Sequence, residues 1–301
     1  MQLTIIICSY NRAKYIEAAL NSLYHQSISL DQFEVIIVDN NSTDETPATY
    51  NSWKATHTEG DFNYSTELQQ GASFARNKGA FLASGEWLCF MDDDAIATDS
   101  YVENILKQIE INPQIVGFGG RIIPKYIPRE PAWMSYYVAS LVGNFDYAPI
   151  ATPFKNGKYP IESNMIVKKK IFEKIGGFNT NIPGVVGDFR IGGEGKDLFY
   201  KIISLGETIY YDPSMIVYHV VEVSKLTPKY MYRVASGIGR GERERTKSIS
   251  SMHYLLKIFE YILKFGASII LAIKYLFQFT PAKSWPIIKF RIDALKGLLN
   301  Y

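Results

Sequence analysis

Several features that would narrow the class of this protein are missing from its sequence. The 301 residues include only two cysteines, Cys8 and Cys89, and each falls inside an apolar, strand-like run. Such cysteines are usually buried free thiols of a protein in a reducing compartment, and no disulfide or zinc site is indicated. The formal net charge of +2 does not suggest a nucleic-acid-binding protein. Internal repeats and low-complexity tracts are also absent.

Long uncharged apolar runs are absent as well. In the helix-like segment at 252–279 the longest stretch without a charge is 265–273, far below the ~20 residues needed to span a bilayer. The N-terminus has no basic leader and runs directly into a strand-like segment, so we expect the protein to lie in the cytoplasm. The composition, 47% hydrophobic and 21% charged, is sufficient for a large core and argues against disorder.

What the sequence does contain is a regular alternation of strand-like and helix-like segments over its first 113 residues. Apolar runs at 3–8, 33–38 and 87–91, and a weaker one at 62–67, are separated by stretches of helical periodicity. Strands and helices that alternate at this spacing imply right-handed crossovers and a mostly parallel sheet, with its loops on one edge. We therefore predict an α/β fold.

The apolar run at 87–91 ends abruptly in three consecutive carboxylates, Asp92, Asp93 and Asp94. Adjacent carboxylates repel each other, and each is costly to bury unless it is paired or bound to a metal. Mg2+ or Mn2+ would relieve the repulsion, because these cations take oxygen ligands and often join carboxylates to substrate phosphates. Ligands of open α/β sheets bind beyond the carboxyl ends of strands, where this cluster would lie. The alternative is a solvated turn.

Two further residues of this region are candidates for binding a nucleotide. Asp39 follows the run at 33–38, where a carboxylate can accept hydrogen bonds from a ribose hydroxyl or a base N–H, although a lone aspartate is more often a turn residue. Arg76 lies about one turn inside a predicted helix. Its guanidinium could reach a diphosphate or form a surface ion pair.

The first half of the chain carries four short motifs in order: TIIICSYNR at 4–12, VDNNSTD at 38–44, ARNKG at 75–79 and MDDDA at 91–95. Together they resemble the nucleotide-sugar half of glycosyltransferase family 2. The resemblance implies a GT-A fold, which is a Rossmann-like, mixed and mostly parallel sheet flanked by helices. It also implies Mn2+ or Mg2+, a nucleoside-diphosphate sugar donor with a UDP-sugar as the first expectation, and inversion at the anomeric carbon.

The resemblance also assigns roles to individual residues. It implies that Asp92 and Asp94 form a DxD-like metal site. Two strand-like runs, at 208–211 and 215–218, lead to His219. A lone histidine more often has a structural role, whereas the resemblance places this one on the metal or diphosphate. The implied donor-binding residues are Ser9, Tyr10, Arg12, Asp39, Arg76, Asp93 and Asn164.

A second acidic segment, GGEGKDL at 192–198, is expected to supply the catalytic base. Transfer needs a group that takes a proton from the acceptor hydroxyl. Glycines before a carboxylate at the start of a helix give it room, and the helix N-terminus favours its negative charge. We assign the base to Glu194, with Asp197 as the runner-up and a simple N-cap as the alternative. The family usually has Glu-Asp here, whereas this chain has Gly195 after Glu194.

The C-terminal region differs from the rest of the chain in charge. Residues 247–301 carry eight Lys or Arg and two Asp or Glu, a net +6 that leaves residues 1–246 at −4. The polar residues from 252 to 279 recur mostly every three or four positions, which predicts an amphipathic helix, and a second apolar-basic helix begins near Trp285. This pattern favours an anionic membrane surface. Packing onto the core, or onto a second subunit in a homodimer, is the alternative.

We therefore expect a GT-A catalytic domain at 1–246, with a nucleotide-sugar half (1–113) and an acceptor half (114–246), followed by basic helices at 247–301. The expected activity is transfer of a sugar to a hydroxyl of a glycan or lipid-linked acceptor in polysaccharide or glycoconjugate synthesis. The enzyme would be peripheral on the inner face of the cell membrane. An inactive nucleotide- or glycan-binding scaffold would fit the acid missing at Gly195. A sugar-nucleotide pyrophosphorylase would need a glycine-rich, basic loop after the first strand, which is absent.

Overall fold

The computed structural model describes residues 1–187 and 189–299, which fold into two compact units. The first unit comprises Met1–Ile123, Phe145–Thr180 and Gly195–His219. The second comprises Pro124–Asn144, Asn181–Glu194 and Val220–Tyr301. The last two residues of the predicted C-terminal region, 300 and 301, lie outside the described residues.

The secondary structure follows the alternation of the sequence. The strands are β1 (Leu3–Ser9), β2 (Phe33–Asp39), β3 (Asp61–Thr66), β4 (Trp87–Asp92), β5 (Ala95–Ala97), β6 (Gly117–Ile127), β7 (Thr152–Pro153), β8 (Asn164–Lys168), β9 (Gly184–Val186), β10 (Phe189–Ile191) and β11 (Ile209–Glu222). The helices are α1 (Ala13–Tyr24), α2 (Thr46–Thr56), α3 (Ala72–Leu82), α4 (Tyr101–Ile111), α5 (Tyr136–Ala139), α6 (Lys169–Lys174), α7 (Glu194–Ser204), α8 (Pro228–Ile249), α9 (Ser251–Phe277) and α10 (Ser284–Leu299).

The first unit is built on a mixed sheet, which confirms the predicted α/β class. Its strand order is β3-β2-β1-β4-β8-β6-β11-β5, with β7 beside β11. The first four strands pair in parallel, as the alternation predicted. In contrast, β8 is antiparallel to both β4 and β6, and β11 is antiparallel to both β5 and β7. The predicted parallel pairing therefore holds for the four strands within the first 92 residues, whereas the later strands pair in the antiparallel direction.

The central strands β1, β2 and β4 are largely apolar and buried because both faces of the sheet are covered there. Ile5 and Ile7 of β1 lie in one core, against α1, α2 and α4, whereas Ile6 lies in a second core, against α3, α6 and α7. Successive side chains of a strand point to opposite faces, so an unbroken apolar run fills both cores at once.

The pairing register brings several polar residues to one edge of the sheet. Ser9, the last residue of β1, stands opposite Asp39 at the end of β2, and Cys8 stands opposite Asp92 of β4. Because β8 is antiparallel to β4, it begins at this same edge, where Asn164 pairs with Met91. His219 of β11 pairs with Ala95 of β5, directly after the three aspartates.

The second unit is mainly helical, with β9 and β10 as an antiparallel pair. Helix α10 packs on both α8 and α9, around a core that includes Val234, Tyr261, Phe290 and Leu298. The predicted C-terminal helices are therefore present, at Ser251–Phe277 and Ser284–Leu299. They share a compact unit with α8, whereas the sequence suggested a boundary between 246 and 247. None of the helices between residues 1 and 299, residue 188 excepted, combines the length and apolarity needed to span a membrane.

Candidate functional site

The carboxyl edge of the sheet in the first unit holds two carboxylates and an imidazole that converge. Asp92 ends β4, Asp94 follows two residues later, and His219 is brought beside them by the pairing of β11 with β5. One potential ligand atom from each of the three lies within 4.8 Å of the other two. Asp94 and His219 are buried and Asp92 is partly exposed, so the cluster opens to solvent on the Asp92 side.

Asp94 is the centre of this cluster. Its Oδ2 accepts a hydrogen bond from Nη1 of Arg12 at 2.8 Å, and its Oδ1 lies 3.0 Å from Nε2 of His219. The other ring nitrogen of His219, Nδ1, is buried and has no hydrogen-bond partner among the described residues. Arg12, which the family motif suggested as a donor-binding residue, thus contacts a predicted metal ligand in this structure.

The donor set fits a divalent cation. Two carboxylates and one imidazole match Mn2+, which accepts both oxygen and nitrogen ligands, better than Mg2+, which strongly prefers oxygen. Three protein ligands leave positions on the ion for substrate oxygens. The residues present are therefore suited to a metal that also contacts a phosphate group.

Asp93 lies between the two predicted metal ligands and is itself buried. Its Oδ2 accepts a hydrogen bond from Oγ of Ser9 at 2.8 Å. Burial raises the pKa of Asp93 to about 7; Arg12 and the Ser9 bond lower it, and the charges of Asp94 and Asp92 raise it further. The carboxylate repulsion expected from the sequence is therefore present, and a bound cation would reduce it.

Arg76 is directed toward this cluster rather than toward solvent. The residue is buried, its Nη2 lies 3.6 Å from Oδ1 of Asp92, and its guanidinium lies 5.5 Å from the ring centre of Phe178. The ion pair considered from the sequence is therefore present, with Asp92, but the guanidinium of Arg76 is buried rather than on the surface. A buried guanidinium beside the open side of the cluster is well suited to bind phosphate oxygens.

The predicted nucleoside-binding residues lie at the ends of β1 and β2. Asp39 is buried, and its two oxygens accept hydrogen bonds from the backbone N–H of Ser42 at 3.0 Å and from the Tyr64 hydroxyl at 2.7 Å. Ser9 pairs with Asp39 in the sheet register, and Tyr10 follows Ser9 as a partly exposed residue. Asp39 is thus a carboxylate held in one orientation.

Asn164 differs from the other predicted donor-binding residues. Its side chain is fully buried; its amide group donates to the carbonyl oxygens of Arg121 and Met215, and its Oδ1 accepts from the Tyr101 hydroxyl at 2.8 Å. Both amide hydrogens and the amide oxygen are engaged, so this side chain joins β8 to its neighbours. We do not retain it as a contact of the donor sugar.

The start of α7 holds the predicted bases and one carboxylate that sequence reasoning missed. Glu194, which belongs to the second unit, is the first residue of the helix and is buried. Asp197 is also buried, and its Oδ2 lies 2.9 Å from Nζ of Lys201. In the first unit, Oε1 of Glu162 accepts the backbone N–H of Gly195 at 2.8 Å. The only sequence signal for Glu162 was the space left by a glycine at 195.

The mixed α/β sheet, with a carboxylate and imidazole cluster at the carboxyl edge of its parallel strands, has the GT-A fold that the sequence predicted. The profile of "Glycosyl transferase family 2" matches residues 4–176, more than half of the chain. The chain belongs to this family, and the enzyme class expected from the sequence is confirmed.

Two related proteins show how far this similarity extends. The glucosyl-dolichyl phosphate glucuronosyltransferase of Haloferax volcanii is 25% identical over 230 residues, which are 73% of this chain and 69% of that protein. An uncharacterized glycosyltransferase of Haemophilus influenzae is 33% identical over 184 residues, 59% of this chain and 56% of that protein. In the second comparison the aligned region spans little more than half of the relative.

A solved structure shows the same fold over nearly the whole chain. The mannosyltransferase PcManGT from Pyrobaculum calidifontis, in complex with GDP-Man and Mn2+, superposes with a TM-score of 0.67 and covers 99% of this chain and 87% of its own. The two sequences are 20% identical, so this likeness concerns the fold.

Proposed function

We propose that this enzyme uses a divalent metal, with Mn2+ favoured, to transfer a sugar with inversion from a nucleoside-diphosphate sugar to a hydroxyl of a glycan or lipid-linked acceptor. The observation that carries the proposal is the convergence of Asp92, Asp94 and His219 beyond the parallel strands, within 4.8 Å of one another. A mixed oxygen and nitrogen donor set beside a buried arginine suits a metal bound together with a diphosphate.

Most of the predicted residues have a role in this proposed reaction. Asp92, Asp94 and His219 would hold the metal, which supplies positive charge to the departing diphosphate. Arg76 adds a second positive charge from beside Asp92, and Asp39, Ser9 and Tyr10 orient the nucleoside. Asp93, held by Ser9, is positioned for a ribose hydroxyl. The acceptor oxygen then attacks the anomeric carbon from the side opposite the diphosphate, and a carboxylate near the start of α7 takes its proton.

The lipid-linked acceptor and a peripheral position on the inner face of the cell membrane are proposed from α9. Its outward face is a continuous stripe of apolar side chains, each at least 40% exposed: Met252, Leu255, Leu256, Phe259, Ile262, Leu263, Ile269, Ile270, Ile273, Leu276 and Phe277. Exposed lysines, including Lys264 and Lys274, lie on the same helix. An apolar stripe on a basic helix suits an anionic membrane surface. The Haloferax relative, by its name, acts on a lipid-linked sugar.

The test is calorimetric titration of the full chain with UDP, GDP, dTDP and CMP, each with Mn2+ and again with EDTA. We expect one nucleoside diphosphate to bind, and its affinity to fall by about tenfold or more when the metal is removed, because carboxylates and phosphates share the ion. A uridine nucleotide is the first expectation. Equal affinity in Mn2+ and EDTA would contradict the metal-dependent site, and no binding at all would favour an inactive scaffold.

A matched pair of variants assigns the effect to the cluster. Asp94→Asn removes the central charge and should weaken Mn2+-dependent nucleotide binding by about 10–100-fold. Asp99→Asn changes an exposed aspartate five positions later and should leave the titration unchanged. Unchanged affinity of Asp94→Asn in Mn2+ would remove Asp94 from the proposed site.

A further inference from the structure

The side chain of Glu162 fills the space beside the backbone of Gly195. An ideal Cβ added to Gly195 would lie 2.8 Å from both Cδ and Oε1 of Glu162 and 2.9 Å from its Cγ. All three of these nearest atoms belong to the Glu162 side chain. The carboxyl group of Glu162 therefore fills the space that a side chain at position 195 would enter. A side chain at position 195 would require the Glu162 carboxylate to move from this place.

Glu162 lies at the edge of the sheet that carries the metal cluster. In the antiparallel pairing of β4 with β8, Met91 stands opposite Asn164. Glu162 precedes Asn164 by two residues, and Asp93 follows Met91 by two residues. Glu162 itself lies in the turn from Ile161 to Asn164 that leads into β8, so it is at this same edge of the first unit.

Exposure separates Glu162 from the two bases suggested by the sequence. Glu194 and Asp197 are only 3% and 7% exposed, and Asp197 is paired with Lys201. Glu162 is partly exposed. A base that deprotonates an acceptor must come within hydrogen-bond distance of its hydroxyl, which favours a carboxylate that solvent can reach. The N–H of Gly195 and the start of α7 also stabilise the ionised, proton-accepting form.

We propose that Glu162 is the general base of the transfer, an inference that rests on the proposed function. The Glu162 carboxylate removes the proton of the acceptor hydroxyl while the acceptor oxygen forms a bond to the anomeric carbon. The bond from that carbon to the diphosphate oxygen breaks, and its electron pair leaves with the nucleoside diphosphate. The proton remains on Glu162 until it passes to solvent.

The competing explanation is that Glu162 only caps α7, and three variants separate the two roles. Glu162→Gln keeps an oxygen that can accept the Gly195 N–H but cannot act as a base. Glu162→Gly removes the side chain. An exchange variant, Glu162→Gly combined with Gly195→Asp, returns a carboxylate to the same space from the other residue, where the Glu162 atoms no longer obstruct a Cβ. Glu173→Gln, at an exposed position of α6, is the matched control.

Turnover is measured in the presence of Mn2+ as release of UDP from UDP-glucose and of GDP from GDP-mannose. The acceptors are water and octyl glucoside. We expect Glu162→Gln to lower kcat by about 10²–10⁴-fold, the usual contribution of a general base, and to lose the acidic limb of the pH–rate profile. Its Mn2+-dependent nucleotide affinity and melting temperature should match those of the control. The kcat of the exchange variant should be about tenfold or more above that of Glu162→Gly alone, because the exchange restores a carboxylate within reach of the acceptor.

Several results would overturn the assignment of Glu162. One is a kcat of Glu162→Gln within about twofold of the control, and another is a larger loss of kcat in Glu194→Gln or Asp197→Asn than in Glu162→Gln. A third is a wild-type protein that binds the nucleotide but releases no nucleoside diphosphate with either acceptor. A loss of rate that only follows a lowered melting temperature would indicate a cap. Failure of the nucleotide titration itself would instead contradict the proposed function, and the assignment of Glu162 would fall with it.

Discussion

At the scale of single residues, buried polar side chains in the first unit have two distinct uses. Glu34 accepts hydrogen bonds from Thr4, Ser84 and Gly85, and Asn164 is held by three protein groups, so both are satisfied within the fold. Asp93 is buried among like charges and its pKa is raised to about 7. Satisfied groups of the first kind stabilise the sheet, whereas crowded carboxylates of the second kind indicate a ligand.

The role of Asn164 can be tested by removing its side chain. Asn164→Ala removes the side-chain partner of two buried carbonyl oxygens and of the Tyr101 hydroxyl, which keeps its 3.3 Å contact with Sγ of Cys89. Each buried group left unpaired costs about 1–3 kcal/mol, so we expect the free energy of unfolding in urea to fall by about 3 kcal/mol or more. The folded variant should keep the nucleotide affinity of the wild type.

The control for this variant is Asn63→Ala, which removes an exposed asparagine from β3 and should change stability by no more than about 0.5 kcal/mol. Unchanged stability of Asn164→Ala with a tenfold loss of nucleotide affinity would restore the donor-pocket role that the family motif suggested.

At the scale of elements, the second unit depends on the close approach of α8 and α10. A Cβ added to Gly239 of α8 would overlap the carbonyl oxygen of Ala294, and one added to Gly297 of α10 would overlap the carbonyl oxygen of Ser236. These obstructing atoms are backbone, which cannot rotate away. The two helices can therefore approach at this distance only with glycine at both positions.

Two glycine-to-alanine changes should have opposite effects on stability. Gly239→Ala forces α8 and α10 apart, and we expect it to lower the free energy of unfolding by about 1–3 kcal/mol or more, as overpacking does. Gly266→Ala changes a glycine of α9 whose added Cβ meets no atom within 4 Å, and it should raise stability by about 0.5–1 kcal/mol through helix propensity. Thermal unfolding of both variants tests this, and equal effects would contradict the packing described for α8 and α10.

The elements also show where pattern reasoning was accurate. The apolar runs at 3–8, 33–38 and 87–91 became β1, β2 and β4 with bounds within one residue. The runs at 208–211 and 215–218 instead form one strand, β11. Periodicity cannot show this, because the polar turn residues between them, Asp212 and Ser214, bond to each other while the backbone stays extended. Tertiary pairing overrides the local turn signal there.

At the scale of the whole molecule, α9 combines structural and surface roles. Its inner side contributes Tyr261, Ser268 and Ala272 to the buried part of the second unit, and its outer side carries the exposed apolar stripe. Deletion of the C-terminal helices would remove part of that core, together with Phe290 and Leu298 of α10. Substitutions confined to the outer stripe are therefore the sharper test of membrane binding.

Replacing Leu256, Phe259 and Ile270 together with glutamate should abolish co-sedimentation with vesicles that contain phosphatidylserine. All three side chains are more than half exposed, so the fold should be retained, while the apolar contact with lipid is lost. Wild-type binding should also weaken as salt is raised, because attraction between lysines and anionic lipid is screened.

Leu68→Glu combined with Phe81→Glu is the matched control, since both residues are exposed apolar side chains of the first unit. This variant should sediment with vesicles as the wild type does. The opposite result would be a wild-type protein that is a dimer in analytical ultracentrifugation and does not bind vesicles, together with an α9 variant that is a monomer. It would show that the stripe is an interface between two copies.

The sequence by itself determined the α/β class, the strand positions of the first half, the C-terminal helices and the family. These features are local, since hydrophobic periodicity and short motifs can be read within a few turns or strands. Only the tertiary structure decided which distant residues meet. The pairing of β11 with β5 brings His219 to Asp94, and the pairing of β8 with β4 buries Asn164 and places the turn that carries Glu162 at the edge of the sheet. Strand register and packing determine these contacts between distant residues, and neither can be read from a short stretch of the chain.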